Sequence, residues 1–520
     1  MKKYIFTFVF LLASIAARAY DTKIDGIYYK LVPKAKIAEV VTGDEKYAGQ
    51  VDIPSTVEYE GVVYNVVSIA ALAFRECFEL TSVTIPEGVT EIKQATFSRD
   101  NSLSSVSLPQ SLTSIGRYAF SMCSSLKSIT FPDGLQSIDY EAFEGCSKIL
   151  EINLPESVQN LGQGVFYNCK ELTSAHLPEN LTVIPEELFY SCYNLTTVNF
   201  HKNLVSIGES AFAGCRSLES VIIPEGVTSI CAYSFYGCQS LTNVSFPEGL
   251  ISLDGFGGCS SLRTIQIPES VTELGSFEDC SSLVSINIPK KVTTLVADAF
   301  SGCKSLTSIE IPDGVTEIGD GAFYGCSSLT SLILPNSVTT VGNWAFAECH
   351  SLNEFVFSEN LTFIPHSCFV GCNGLKEIVL PTNVFSIGEQ AFEKCMNLKE
   401  ITLGEKVSNI GYGAFFDCTG LEHFYCHAEI VPQIGNYGFY GAYIEYATLH
   451  VPASAIEAYR STSPWSGFGT IVAIESTGAE QVSSDKSQVT SEEWYTLEGI
   501  RVAQPRKGVL IRNGEKVVIK

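Results

Sequence analysis

The chain has 520 residues, 57 acidic and 33 basic, and a formal charge of −24 at pH 7. So acidic a surface argues against nucleic acid or anionic lipid as a partner. Length alone suggests about three globular domains, but the sequence repeats itself too regularly for separate cores.

Met1 to Ala19 opens with Lys2 and Lys3, continues as an apolar run from Tyr4 to Ala17, and closes on Ala17-Arg18-Ala19, a small-x-small cleavage pattern. Residues 1–19 therefore read as a signal peptide, and the protein is expected to be exported, either to the cell surface or into the medium. Cleavage would remove three positive charges and bring −24 to −27. The first cysteine is Cys77, which leaves no lipid-modified N-terminal cysteine. No later apolar run approaches the roughly 20 residues that span a bilayer, so a transmembrane protein is not expected. Residues 20–68 lack the regular repeat that begins at Ile69 and read as an N-terminal cap, in which VEYEGVVYNVV sets Glu60-Gly61 between two alternating runs, a hairpin pattern.

Residues 69–446 are about sixteen copies of one unit, clearest from Ser305 to Leu329 as SLTSIEIPDGVTEIGDGAFYGCSSL. Its Phe323 recurs from Phe74 to Phe415 in steps of 23, except for two steps of 21, from Phe235 to Phe256 and from Phe256 to Phe277. A fixed period of this size with apolar residues at fixed offsets marks a solenoid. Leu306, Ile309 and Ile311 have the spacing L-x-x-I-x-I, whose end alternates like a strand with one buried face. Pro312 ends that strand because proline has no N–H to give to a ladder. Val315 and Ile318 turn a second short extended run inward, and Gly319 permits the next bend. Ala322 to Cys326, A-F-x-x-C, has the spacing of about one helical turn with Phe323 and Cys326 on one side, and is expected to form the outer wall.

The wording I-P-x-x-V-T-x-I-G-x-x-A-F-x-x-C-x-x-L on an L-x-x-L-x-L core resembles the BspA-like leucine-rich repeat surface proteins of Bacteroidetes-type bacteria, over roughly residues 27–474. The resemblance implies a β-rich α/β solenoid: a right-handed leucine-rich-repeat coil with a parallel sheet on its concave side and short helical turns on its convex side. It also implies adhesion, to host extracellular or surface proteins or to other bacterial surface proteins.

Eighteen cysteines in an exported chain would ordinarily suggest disulfides. Fifteen of them, however, sit three residues after a repeat phenylalanine, and Asp100 fills that place in the second coil. Stacked coils would point such side chains the same way, which fits disulfide torsions badly; buried, reduced, space-filling thiols are expected.

Beyond the repeats, residues 447–474 resemble the closing segment common in this family and are expected to cap the last coil, with Tyr459 and Trp465 as apolar anchors. Residues 475–492, poor in large apolar side chains, read as a linker. Residues 493–520 read as a small β module with a hairpin at Asn513-Gly514. Its wording resembles C-terminal sorting modules of secreted proteins, and an inert β appendage is the alternative.

No H-E-x-x-H, G-x-S-x-G or phosphate-binding glycine loop occurs, so no catalytic residue, cofactor or metal site is expected. The tightest cluster is His423, Cys426 and His427, but His423 and Cys426 lie an odd number of residues apart and should face opposite ways in a strand. The residues flanking the inward isoleucine should face the concave side, and most are small and polar, such as Ser82 and Thr84, Thr197 and Asn199, or Ser285 and Asn287. Toward the C-terminal end one column becomes Ile333, Val356, Val379, Thr402 and Tyr425, and the other Ser331, Glu354, Glu377, Glu400 and His423. Apolar stripes rimmed by charge mark interfaces, so Ile333, Val356, Val379, Tyr425, Glu354, Glu377 and Glu400 are the candidate ligand-binding residues; a solvated face of good strand formers is the plain alternative. The aromatics after the repeat phenylalanine, Tyr167, Tyr190, Tyr236, Tyr324 and Phe416, suit either an interface or carbohydrate stacking, or packing between adjacent turns. The expectation is a non-enzymatic, protein-binding adhesin, with a structural spacer of the cell envelope as the other reading.

Overall fold

The computed structural model describes residues 19–474 and, beyond them, the strands Trp494–Tyr495, Arg501–Val502, Gly508–Arg512 and Glu515–Ile519. The expected signal peptide and linker lie outside the described residues. The chain divides into two units after Ala473.

In the first unit each 23-residue copy is one coil, and each coil contributes to two parallel ladders. The L-x-x-I-x-I run makes the first ladder: Glu151, Ser174 and Thr197 pair at successive coils, as do Ile152, Ala175 and Val198. The second extended run makes the other: Ser206, Ser229 and Ser252 pair at the same spacing, with Ile207, Ile230 and Leu253 beside them. Between the ladders lies one continuous core. Leu306, Ile311, Val315, Ile318, Phe323 and Cys326 are all buried, and the repeat phenylalanines stack face to face with centroids from 5.0 Å, Phe74 to Phe97, up to 6.2 Å, Phe277 to Phe300. Stacking of this kind adds to the area each ring buries.

The outer wall is not helical, and this corrects the expectation of short helical turns on the convex side. Among the described residues, helices are confined to Ile456–Ser461 and the 3-10 turns Ile444–Tyr446 and Trp465–Gly467 near the end of the first unit. Within the wall, amides alternate between two partners. Ala322, Tyr324 and Cys326 donate back three residues to Gly319, Gly321 and Phe323, closing β-turns. Gly321, Phe323 and Gly325 instead donate across to Asn343, Ala345 and Ala347 of the next coil. Residues four apart adopt positive φ, Gly321 at 61° and Gly325 at 68°, or Tyr118 at 58° and Met122 at 62°. One left-handed residue per four breaks the i to i−4 bonding of a helix. The wall is thus a third seam of inter-coil hydrogen bonds.

All eighteen cysteines are free, seventeen of them buried and Cys231 half-buried. Their thiols are more than filler. From Cys123 to Cys418, each repeat thiol donates to the carbonyl of the preceding coil's phenylalanine, for example Cys326 Sγ to Phe300 O at 3.1 Å and Cys418 Sγ to Phe392 O at 3.0 Å. The same Phe300 carbonyl also accepts the Cys303 amide, so the thiol satisfies its second lone pair.

The N-terminal end is closed by a five-stranded sheet ordered Thr22–Ile24, Ile27–Val32, Ile37–Val40, Val62–Ile69, Thr56–Tyr59. Tyr59 pairs with Val62 in the hairpin, with Glu60 and Gly61 at φ 50° and 78°. Tyr47 lays its ring 4.3 Å from Phe74 and so begins the aromatic stack. At the other end Tyr459 and Trp465 are fully buried; the Tyr459 hydroxyl donates to Ala428 O and the Trp465 indole N–H to Pro432 O. The second unit is a four-stranded antiparallel sheet in which Arg512 pairs with Glu515.

Candidate binding face

Register on the first ladder places the candidate columns. Ile333 pairs with Val356 and Ser331 with Glu354. Val379, Thr402 and Tyr425 pair in succession, as do Glu377, Glu400 and His423. Between Val356 and Val379 strand pairing stops, because the first ladder is divided into separate short sheets. Phe355 stands at the inward isoleucine's place and packs edge-on against Phe346 at 4.8 Å and Phe369 at 4.9 Å. The stripe therefore consists of two paired segments on adjacent coils.

Ile333 is 43% and Val379 54% exposed, while Val356, Tyr425, Glu354 and Glu400 are half-buried and Glu377 is exposed. The column continues past Tyr425 to His450 and Val472. Tyr425 and His450 stack at 4.1 Å, and His450 Nε2 lies 3.2 Å from His423 Nδ1. Burial, and then the neighbouring His423, hold the His450 imidazole below its ordinary pKa. Cys426 turns inward, its Sγ 3.2 Å from the Tyr459 hydroxyl, while the His423 side chain lies half-exposed beside His450. The structure thus joins His423 to His450 and separates it from Cys426. In sequence His450 stands 27 residues from His423 rather than 23, and that offset conceals the pairing.

Two residues read as small face-lining polar groups do something else. Asn199 accepts the Leu177 amide and donates to the Leu177 carbonyl, and Asn287 does the same for Ile267. Both complete a ladder whose strands there are only two residues long. Of the wall tyrosines, Tyr167 and Tyr190 stack on one another at 4.8 Å, whereas Tyr236 and Tyr324 are 40% and 45% exposed.

Two parallel ladders, a buried phenylalanine stack and a 23-residue coil define a parallel β-solenoid of the leucine-rich repeat type. The chain belongs to the BspA-type leucine-rich repeat family: the family model described as "BspA type Leucine rich repeat region (6 copies)" matches residues 62–173, 159–277, 275–395 and 345–460. Among solved structures, it is similar to a leucine-rich repeat protein from Bacteroides ovatus ATCC 8483, at 30% identity over 83% of this chain and 100% of that one, with a TM-score of 0.58. It is also similar to a leucine rich cell surface protein from Faecalibacterium prausnitzii A2-165, at 26% identity over 78% and 94% of the two chains and a TM-score of 0.39. No curated protein matches. Among the described residues, no helix is long and apolar enough to cross a membrane.

Proposed function

We propose that this is an exported adhesin that binds other proteins through its first-ladder face, at the C-terminal end where the apolar column runs beside the acidic one. The carrying observation is the pairing of Ile333 with Val356 and of Val379 with Thr402 and Tyr425, with Ile333 and Val379 largely open to solvent. Such an apolar strip flanked by carboxylates fits a polypeptide segment that is apolar with basic flanks. The ligands this reading favours are host extracellular or surface proteins, or surface proteins of other bacteria. Export rests on the basic and apolar character of residues 1–19, and the role of residues 493–520 in surface sorting rests on their wording alone.

A screen of the mature chain against host matrix proteins and bacterial surface extracts, followed by affinity measurements on whichever partner is retained, tests the reading. Val356→Ser with Val379→Ser should weaken binding by roughly tenfold, the loss of two partly buried aliphatic side chains at an interface. Unchanged affinity would rule the stripe out. The spacer reading draws on the small polar columns of the earlier coils, such as Ser82 with Ser105 and Thr84 with Ser107. It predicts that deleting central coils alters reach and leaves affinity untouched.

A further inference from the structure

On the outer wall, remote in the coil from the first ladder, two successive coils bring aromatic side chains into one patch. The Tyr412 ring meets Tyr437 edge-on at 5.6 Å, Tyr437 meets Tyr440 at 5.7 Å, and Tyr440 stacks on Phe416 at 5.3 Å. Tyr412, Tyr437 and Tyr440 are 45%, 55% and 60% exposed. Contiguous exposed aromatics are uncommon on a soluble surface and mark contact sites.

The surroundings say what chemistry the patch suits. Asp417 reaches over Gly441, its Oδ1 within 2.1 Å of where a Cβ on that glycine would sit, beside Tyr440. Glu389 and Glu393 lie one coil back, the latter ion-paired with Lys394 at 3.2 Å. The local balance is negative. Elsewhere in the array, tyrosines carry cations from the chain itself: Arg117 sits 5.1 Å from the Tyr140 ring centre, and Arg216 and Lys170 sit 4.6 and 6.0 Å from that of Tyr193. Among the described residues no Lys or Arg lies over the rings of the Tyr412 patch.

We propose that Tyr412, Phe416, Tyr437 and Tyr440, with Asp417, dock an arginine-bearing segment of a polypeptide partner. The ring faces take the guanidinium planes by cation–π stacking, and the carboxylate takes the charge. Tyrosine suits the task because a rigid, amphipathic ring gives contact area with little rotamer entropy to lose. This surface is separate from the first-ladder face, so either can fail without the other.

The test uses the mature full chain and a fluorescein-labelled peptide of alternating Gly and Arg, read by anisotropy, with matching Gly-Lys and Gly-Glu peptides. The Arg peptide should bind more tightly than the Lys peptide, and the Glu peptide should not bind. Tyr437→Asn with Tyr440→Leu should weaken the Arg peptide about tenfold, the loss of two cation–π contacts of the exposed kind. Asparagine is chosen because Tyr437 has φ 58°, which asparagine tolerates. Should the double variant fail to fold, Tyr440→Leu alone should weaken binding about threefold. Glu225→Gln, an exposed carboxylate in a distant coil outside both surfaces, should leave it unchanged. Equal binding by wild type and the tyrosine variants overturns the proposal. So does a loss seen only in the Glu225 variant, or tyrosine-dependent binding of a neutral oligosaccharide with none of the Arg peptide.

Discussion

Asp100 interrupts the cysteine column and offers a sharp test of how the coils are held. It is fully buried; its Oδ1 accepts the Cys77 amide at 2.8 Å, and its Oδ2 has no partner. Burial raises its pKa from the ordinary 3.8 to about 8, with the Cys77 amide and Lys46 pulling weakly the other way. A shift of about four units at 1.36 kcal/mol each corresponds to about 5 to 6 kcal/mol. Linkage sets the sign. Between about pH 4 and pH 8 the unfolded carboxyl has lost its proton while the folded one keeps it, so stability falls as pH rises through that window and levels off above it. In Asp100→Cys the group is gone, and the new thiol takes the place from which the other repeat thiols reach the previous phenylalanine carbonyl. The Cys77 amide keeps its bond to Phe74 O. The variant should therefore be more stable than wild type above about pH 8 by several kcal/mol, with the gap closing toward pH 4. Because a repeat array need not unfold in one step, the assay is hydrogen exchange at Ile92, in the coil of Asp100 itself, and at Ile115, in the next coil, across that pH range. Parallel pH dependence in wild type and variant would refute the buried, protonated carboxyl.

Other outcomes rest on the same packing. In the native protein, iodoacetamide should label Cys231 first, since the other seventeen thiols are buried and burial pushes repeat thiols such as Cys146 and Cys326 well above the ordinary range; mass spectrometry after denaturation without reductant should then find eighteen free thiols, and any shortfall would mean disulfides. Phe323→Ala should cost about 3 to 5 kcal/mol, the usual figure for emptying a buried phenylalanine site, read as loss of exchange protection in its own coil and the two beside it. Asn287→Ala should cost roughly 1 to 2 kcal/mol, because it leaves the Ile267 amide and carbonyl without their partner; an unchanged urea midpoint would show that water replaces the amide freely.

The repeat unit made the two ladders and the inward set readable, because apolar residues at fixed offsets have one way to be buried when every coil is alike. The wall was misread for a specific reason. Phe323 and Cys326, three apart, share a side both in a helical turn and in two β-turns in series. What separates the cases is a left-handed residue every fourth place, and side chains such as Tyr118, Met122 and Glu187 occupy those places with φ of 58°, 62° and 55°, hiding a signal glycine would have given. Asp100 was visible as a departure from the column, but its buried, partnerless oxygen was not. The candidate columns were legible by counting in steps of 23. The break in strand pairing between Val356 and Val379 was not, because the repeat spacing is the same at the coils where pairing stops and where it continues. Of the Tyr412 patch, the place after the repeat phenylalanine shared by Phe416 and Tyr440 was legible, but Tyr412 and Tyr437 stand at other offsets and joined it only in the structure.

The two shortened coils give the array a preferred breaking point. Most neighbouring coils share three wall hydrogen bonds, as Glu141, Phe143 and Gly145 do with Gln163, Val165 and Tyr167. The coil of Phe235 gives two to the next, at Gly255 and Gly257, and the coil of Phe256 gives one, from Gly258 to Glu278. Under tension along the stack, parting of the wall is expected to begin there, where the fewest bonds must break. A shortened repeat is thus the thinnest seam of the wall.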